Sequence, residues 1–428
     1  MESALLAGVL NSFSTSFFIM NSGFAKCFFP SVMTACLLVR FVGMADDWPQ
    51  WRGPHLNGVS KEQNWSSEWP SQGPPIAWKI SVGIGFASFV VSEGSLFTTG
   101  HANGQDTLWC VDSTKGTVKW KHSYDSDLGD KYFDGGTAST PAVDSGFVYL
   151  MSRWGDVFCI EITSGKVRWS KNVQKETGIR IPDWGFSGSP VVLDNLVLLN
   201  VGDAGLALDK STGKIVWSSA NKDAGYSTPY LMGIGAEATL IIGSAKSYVG
   251  VHPKTGKENW RFPWPTQYGV NAADPIVRGD HIFVSSGYNK GSALFSIDKG
   301  QPVVVWQSKS LRNQMNPSVL MDGFLYGIDG DTSAKATLKC VEFLTGAVRW
   351  TEAGIGSGSV VGADGKLIVL SDRGELLIAH ASPEGFKPSA RAQVLGGKCW
   401  TVPVLANGMI YCRNATGNLV CIDVRKRP

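Results

Sequence analysis

The sequence has few of the features that mark most catalytic or nucleic-acid-binding sites. Its net charge is only +3, and no run of lysine or arginine precedes the short tail Arg425–Arg427. Because phosphate binding needs a basic surface, nucleic acid is not an expected partner. The six histidines lack the spacing of zinc ligands, so we expect no metal site. Neither a phosphate-binding P-loop nor the Gly-x-Ser-x-Gly turn of α/β-hydrolases occurs.

Long apolar stretches are absent after residue 45. The N-terminal one runs from Cys27 to Val42, between a lysine and the small residues Gly43-Met44-Ala45. This order is typical of a secretory signal, so we expect residues 1–45 to be a signal peptide cleaved near Ala45. An uncleaved anchor is the alternative. We expect no transmembrane span in the mature chain and export to the periplasm or the extracellular space.

A short repeated pattern covers most of the remaining chain. Each copy has a hydrophobic strand, usually with an acidic residue, then a turn and a tryptophan. The copies from Trp120 to Trp350 lie 43 to 49 residues apart without helical spacing, which is the size of a four-stranded propeller blade. We expect these rings to be structural, buried between neighbouring blades. They are Trp78, Trp120, Trp169, Trp217, Trp260, Trp306 and Trp350.

A second phrase predicts the number of blades. It has a small polar residue, in most copies a proline, and then alternating apolar residues, as in Ser139-Thr-Pro141. Because proline has no amide hydrogen, it suits the first residue of a strand. The phrase occurs eight times, which predicts an all-β fold: an eight-bladed β-propeller of four-stranded antiparallel blades.

The two ends of the repeat array are incomplete and complement each other. Trp78 lies before the first complete copy, whereas the last copy, Cys421–Asp423, ends before an outer strand can form. We therefore expect the N-terminal strand around Ile76–Val82 to close the ring, which removes an exposed edge. Residues 76–428 are predicted to form the propeller, and residues 46–75 an ordered lead-in segment across it.

Of the eight cysteines, two lie in the N-terminal apolar stretch and six follow it. Four of the six share one repeat position with alanine or glycine in other copies, which indicates a small buried residue. In the last hairpin, a turn at Ala415–Asn418 would place Cys412 opposite Cys421 at a non-hydrogen-bonded site, within reach of a disulfide. Oxidising conditions outside the cytoplasm would allow that bond. Two buried thiols are the alternative.

The phrase Thr-Gly-Lys-x-x-Trp, as in Thr212–Trp217 and Thr255–Trp260, resembles the repeat of pyrroloquinoline quinone (PQQ) propellers. One branch of that group, the quinoprotein dehydrogenases, carries a calcium-bound quinone in the central funnel. Another, the BamB-like propellers, is non-enzymatic and acts as a periplasmic scaffold in outer-membrane protein assembly. The opening Asp47–Pro54 looks most like secreted bacterial proteins with PQQ-like propellers. The resemblance thus implies the fold and leaves binding and oxidation as alternatives.

The enzyme signature that this resemblance would imply is incomplete. Quinoprotein dehydrogenases typically have two adjacent cysteines under the quinone, and no two cysteines are adjacent here. They also hold calcium with a carboxylate and an amide and use an aspartate as a base. Asn271 and Asp274 could supply part of that set, although an Asx turn explains them as well. We expect no catalytic residues and no cofactor, with PQQ and calcium as the alternative.

Candidate binding residues lie in the loops that join each outer strand to the next inner strand. These loops meet at one mouth of the channel, and their aromatic and amide side chains suit a sugar, a quinone or a peptide strand. A solvated rim with packing aromatics is the alternative. The candidate residues are Trp184, Tyr226, Asn271, Asp274, Arg312, Asn313, Lys398 and Trp400.

Roles for these residues follow from their chemistry. We expect Trp184 and Trp400 to stack on a flat or sugar-like ligand, and the two asparagines to fix its polar edge. Arg312 or Lys398 would meet a carboxylate. The sequence therefore favours an exported, monomeric propeller that binds a protein partner or a small ligand and has no chemistry of its own. A PQQ-dependent oxidoreductase and a BamB-like assembly factor are the alternatives.

Overall fold

The computed structural model describes residues 47–426 apart from 71, 220–223, 234, 236, 237 and 334, so the predicted signal peptide lies outside the described residues. The described chain forms eight four-stranded antiparallel units. Each unit runs from a short inner strand to an outer strand, and consecutive units follow one another along the chain. The predicted all-β, eight-bladed propeller is confirmed.

The strands of blades 1 to 4 are given from the innermost to the outermost. They are Val90–Ser92, Ser95–Ala102, Gln105–Asp112 and Val118–Asp125; Ala142–Asp144, Phe147–Met151, Asp156–Glu161 and Val167–Asn172; Val191–Leu193, Leu196–Leu199, Leu206–Asp209 and Ile215–Ser218; and Tyr230–Met232, Thr239–Gly243, Ser247–Val251 and Glu258–Pro263. After blade 2 the chain makes a short α-helix, Val173–Thr177, and before blade 5 a 3₁₀ turn, Gln267–Gly269.

Blades 5 to 8 follow the same order. Their strands are Ile276–Arg278, His281–Ser286, Gly291–Asp298 and Gln301–Ser308; Val319–Met321, Phe324–Asp329, Thr337–Glu342 and Val348–Glu352; Ser359–Ala363, Lys366–Leu370, Glu375–His380 and Pro388–Gln393; and Val404–Ala406, Met409–Arg413, Asn418–Asp423 and Ile76–Ser81. The last blade thus takes its outermost strand from the N-terminal side. Trp78 lies opposite Cys421 in that ladder, and the predicted ring closure is confirmed.

The repeat tryptophans join neighbouring blades. Trp120 of blade 1 donates its Nε1–H to the carbonyl of Ile162 in blade 2 at 2.9 Å. Its ring covers Gly165, where φ is 70° and an added Cβ would come within 2.8 Å of the indole. Glycine is therefore required there both by conformation and by space. Trp78 makes the equivalent bond across the ring closure, to the carbonyl of Ser113 at 3.1 Å.

Trp260 departs from this arrangement because of the blade that it faces. The third and fourth strands of blade 5 are joined by the two-residue turn Lys299–Gly300, which lacks the longer Thr-Gly turn of the repeat. The indole instead meets the ring of Phe295 edge-on, with centroids 5.8 Å apart. The shorter turn thus replaces the tryptophan–glycine contact by an aromatic pair.

The predicted register of the last hairpin is wrong by one residue. Asn418 N donates to Oδ1 of Asn414 at 2.9 Å, so the turn holds three residues rather than four. Cys412 consequently lies opposite Val420, and Cys421 lies opposite Tyr411. Because successive side chains point to opposite faces of a sheet, the two thiols cannot meet. All six described cysteines are buried and free, so the predicted disulfide is absent.

The lead-in segment crosses the channel at the end where inner strands turn into the second strands. Trp48 pairs with Val91 of blade 1. Leu56 belongs to a buried cluster with Val191 of blade 3 and Leu240 of blade 4. Further along, Val59–Ser60 adds a short parallel strand to the inner strand of blade 7. This segment therefore lies across the lower mouth of the channel, against the inner strands.

Candidate functional site

A cavity of about 410 Å³ lies at the upper mouth of the channel. Seven of the eight loops that lead into the inner strands contribute to its wall, and the loop of blade 7 does not. Each loop ends at the start of an inner strand, so the ring of blades holds the wall in place from all the contributing sides. The site is thus built by the fold as a whole rather than by one loop.

Aromatic rings line most of the cavity wall. They make two series of ring contacts around the mouth, from blade 5 to blade 8, with centroids 5.3 to 6.3 Å apart, which together are called the aromatic arc. One series is Tyr288, Tyr268, Trp184 and Tyr132, and the other is Phe133, Phe86 and Trp400; all of these rings except Tyr268 line the cavity. The arc does not continue to blade 6, where Gln314, Asn316 and Thr332 make a polar side.

Trp51 of the lead-in segment forms part of the cavity floor. Its Nε1–H donates to Oδ2 of Asp274 at 2.5 Å, and the amide of Thr228 donates to Oδ1 at 2.7 Å. Nε of the buried Arg52 lies 4.0 Å from the same carboxylate. Burial raises the pKa of Asp274, and Arg52, Trp51 and Thr228 oppose that rise. At the floor of the cavity, the indole of Trp51 is therefore bonded to a buried Asp274 whose charge is compensated by Arg52. The cavity opens on the opposite, upper side.

Arg153 supports the loop that carries Trp184. It is buried, and its Nη2 donates to the carbonyl of Trp184 at 2.8 Å. Its Nη1 donates to the carbonyls of Leu128 and Gly129 at 2.7 and 3.0 Å, and the guanidinium lies 5.0 Å from the ring of Phe133. Burial lowers the pKa of Arg153. One cation thus fixes two neighbouring loops of the aromatic arc.

Five of the eight candidate residues from the sequence line this cavity: Trp184, Tyr226, Asp274, Lys398 and Trp400. Burial raises the pKa of Tyr226 to about 12. Lys398 forms an ion pair with Asp134, and its Nζ lies 4.5 Å from the ring of Trp400. Among the described residues, the two charged side chains that line the cavity, Asp274 and Lys398, therefore both have partners within the protein.

The other three candidates do not reach the cavity, so their expected placement is corrected. Asn271 is fully buried, and its amide donates to the carbonyls of Ser244 and Trp264 at 2.8 and 3.1 Å. Asn313 is also buried, and its amide ties the loop before blade 6 to the second strand of that blade through the carbonyl of Ile328 at 2.9 Å. Arg312 pairs with Asp329 at 2.9 Å, outside the mouth. The two asparagines thus satisfy backbone carbonyls, as buried amides are expected to do, and Arg312 is held by a carboxylate.

The residues do not fit the calcium site of a quinoprotein. The amide of Asn271 is engaged on both sides, since its Oδ1 accepts from Ser286 Oγ at 2.9 Å. Both oxygens of Asp274 are also occupied by protein donors. Among the described residues, no group of three or more His, Cys, Asp or Glu is placed to hold a metal. A carboxylate and an amide directed at one ion are not found at this position.

Several wall residues were not predicted from the sequence. Trp51 lies 223 residues before Asp274, so only the fold reveals that they meet. Phe86, Tyr132 and Phe133 sit in loops without the repeat signature. The sequence nevertheless contains a signal for Phe86, Tyr132 and Phe133, because each of them comes shortly before an inner-strand phrase, as Trp184 does.

The described part of the chain contains no helix with the length and apolarity needed to cross a membrane. In sequence, residues 105–352, more than half of the chain, match the family model described as outer membrane protein assembly factor BamB. The chain belongs to that family. No curated protein matches it in a direct sequence comparison. Membership in the BamB family agrees with the repeat and with the propeller, and it leaves the activity open.

Solved structures show the same fold at low identity. BamB from Moraxella catarrhalis has 14% sequence identity and a TM-score of 0.60, with 82% of this chain and 99% of that chain covered. A europium-containing methanol dehydrogenase has 12% identity and a TM-score of 0.65, covering 88% and 89%. Quinohemoprotein alcohol dehydrogenase from Comamonas testosteroni has 14% identity and a TM-score of 0.63, covering 89% and 81%. These BamB-family and dehydrogenase propellers therefore share the architecture with this chain.

Proposed function

We propose that this protein is an exported binding module that holds a neutral saccharide in the upper cavity and carries out no bond chemistry on it. The observation that carries the proposal is the aromatic arc beside a polar side, above a floor that includes Trp51. Sugar rings present apolar C–H faces and hydroxyl edges, so they suit aromatic walls with a few fixed polar groups.

The charges of the cavity favour a neutral ligand. Lys398 is paired with Asp134, and Asp274 is held by Trp51 and Thr228 with Arg52 nearby. A charged ligand would have to break one of these pairs, which leaves the other partner without compensation. Hydroxyl groups need only hydrogen bonds to neutral side chains such as Gln314, whereas the amide nitrogen of Asn316 already donates to the carbonyls of Gly358 and Trp400. The Oε1 of Gln314 has no hydrogen-bond partner among the described residues.

A protein partner is the second candidate function, favoured by the match to the BamB family model over residues 105–352. The two functions are compatible in space, because a partner can use the outer faces of the blades. PQQ-dependent oxidation is not proposed, since Asn271 and Asp274 are committed to contacts within the protein. Export remains part of the proposal, based on the N-terminal sequence.

Binding to an array of neutral glycans, followed by calorimetric titration of the best one, tests the proposal. Trp184→Ala and Trp400→Ala should each weaken binding by a factor of about 10 to 100, as expected for loss of a stacking ring worth about 1.5–3 kcal/mol. Trp109→Ala is the matched control, because this tryptophan lies on the third strand of blade 1, away from the cavity.

Two results would overturn the proposal. One is the absence of binding to every glycan of the array by folded protein. The other is reduction of an artificial electron acceptor by an alcohol or a sugar after incubation with PQQ and calcium. Co-purification with an outer-membrane barrel complex in the native host would instead support the assembly function of the second candidate.

A further inference from the structure

The rim of the cavity is formed by small residues at blade 7. The loop before that blade, residues 353–358, reads Ala-Gly-Ile-Gly-Ser-Gly and contributes no side chain to the cavity wall. At Gly356 φ is 64°, and an added Cβ would come within 2.1 Å of the Asp372 carboxylate. The packing of blade 7 therefore excludes a larger residue at position 356 and keeps this part of the rim small.

A second cavity of about 490 Å³, the blade 7 cleft, begins at this part of the rim. Loops of blades 6, 7 and 8 form it, and it shares Thr332, Lys398 and Trp400 with the upper cavity. These three residues are the border between the two spaces. Trp400 therefore borders a ligand in either space.

The cleft is lined by polar groups, like the polar side of the upper cavity. Its lining adds Ser333, Asp372, the exposed Arg373 and the backbone of Gly397 to the shared residues. An added Cβ at Gly397 would meet no atom closer than 3.8 Å, so this stretch of backbone faces open space. Hydroxyl, carboxylate, guanidinium and peptide groups next to a tryptophan are a set that can bind further sugar units.

We infer that the ligand is an oligosaccharide rather than a single sugar, with one end in the upper cavity and the following units leaving over Thr332 into the blade 7 cleft. This inference rests on the proposed saccharide-binding function and names the direction and the length of its ligand. The position of Trp51 at the floor supports it, because a chain longer than the cavity would extend on the opposite, upper side. The aromatic arc lines the sides from blade 5 to blade 8, whereas polar side chains of blade 6 and the small loop of blade 7 form the side toward the cleft.

The test uses a length series, from one to six units, of the neutral glycan that binds best on the array. We expect affinity to rise with length by a factor of about ten or more and then to level off. Ser333→Trp should remove this gain while affinity for the single sugar stays unchanged, because Ser333 is exposed and lines the cleft but not the upper cavity. Ser333→Thr is the matched control and should retain the gain.

Arg373→Ala provides a second, independent variant. Its side chain is exposed in the cleft and lies outside the upper cavity, so the substitution should weaken only the longer members of the series. Equal affinity for all lengths, or an unchanged gain in Ser333→Trp, would overturn the inference and leave the proposed function intact. Absence of binding at every length defeats the proposed function itself, as would binding of extended peptides in place of glycans.

Discussion

Replacing Trp51 with phenylalanine removes the hydrogen bond that ties the lead-in segment to the floor of the cavity, while an aromatic ring remains there. The bond joins Nε1 to the buried carboxylate of Asp274 at 2.5 Å. Hydrogen bonds to charged groups contribute about 1.5–3 kcal/mol. Since Asp274 keeps the amide of Thr228 and the nearby Arg52, we expect a loss near the lower end, about 1.5–2 kcal/mol in the free energy of unfolding.

A double-mutant cycle isolates this bond from other effects of the substitution. The cycle compares Trp51→Phe, Asp274→Asn and the double variant by urea unfolding followed with circular dichroism. We expect a coupling energy of about 1 kcal/mol or more, because the residues contact each other directly. A coupling energy below about 0.3 kcal/mol would show that this bond does not hold the lead-in segment to Asp274. Trp51→Ala should in addition weaken saccharide binding, whereas Trp51→Phe should not.

Three further predictions concern the fold. Deleting residues 47–82 should expose the edge of Asn418–Asp423 and cause aggregation or a large drop in Tm; a monomeric variant of unchanged Tm would contradict ring closure. The six described thiols should resist Ellman's reagent at pH 8 and all react after unfolding, because burial raises their pKa values, whereas only four reactive thiols would indicate a disulfide. Burial alone would raise the pKa of Asp329, but hydrogen bonds from Arg312 and Lys339 outweigh it and lower the pKa. The stabilising effect of Asp329 should therefore be complete above its unfolded pKa of about 4 and be lost as the pH falls through the lower pKa of the folded state. Asp329→Asn should flatten that part of an acid unfolding curve.

The propeller could be predicted because its signal is repeated. Eight inner-strand phrases and the orphan strand at Trp78 specify the number of blades and the closure, and errors in one copy do not change the result. The hairpin register rests on a single turn instead. There, one side-chain bond of Asn414 shortens the turn by one residue and moves Cys412 away from Cys421.

The candidate site could be predicted only in part. Trp184 and Trp400 are in the wall because their loops lead into inner strands, which the repeat reveals. The sequence cannot tell whether an amide such as Asn271 bonds to a ligand or to the backbone of neighbouring loops. Nor does it show that Trp51 meets Asp274, since that contact depends on the path of a segment outside the repeats.

A crystal structure of the protein with the glycan selected from the array tests the central claim most directly. The account predicts sugar rings against Trp400 and Trp184 in the upper cavity, above Trp51, with the next units passing Thr332 into the blade 7 cleft. A glycan bound only on the outer faces of the blades, or an upper cavity filled by a quinone with a calcium ion, would contradict it.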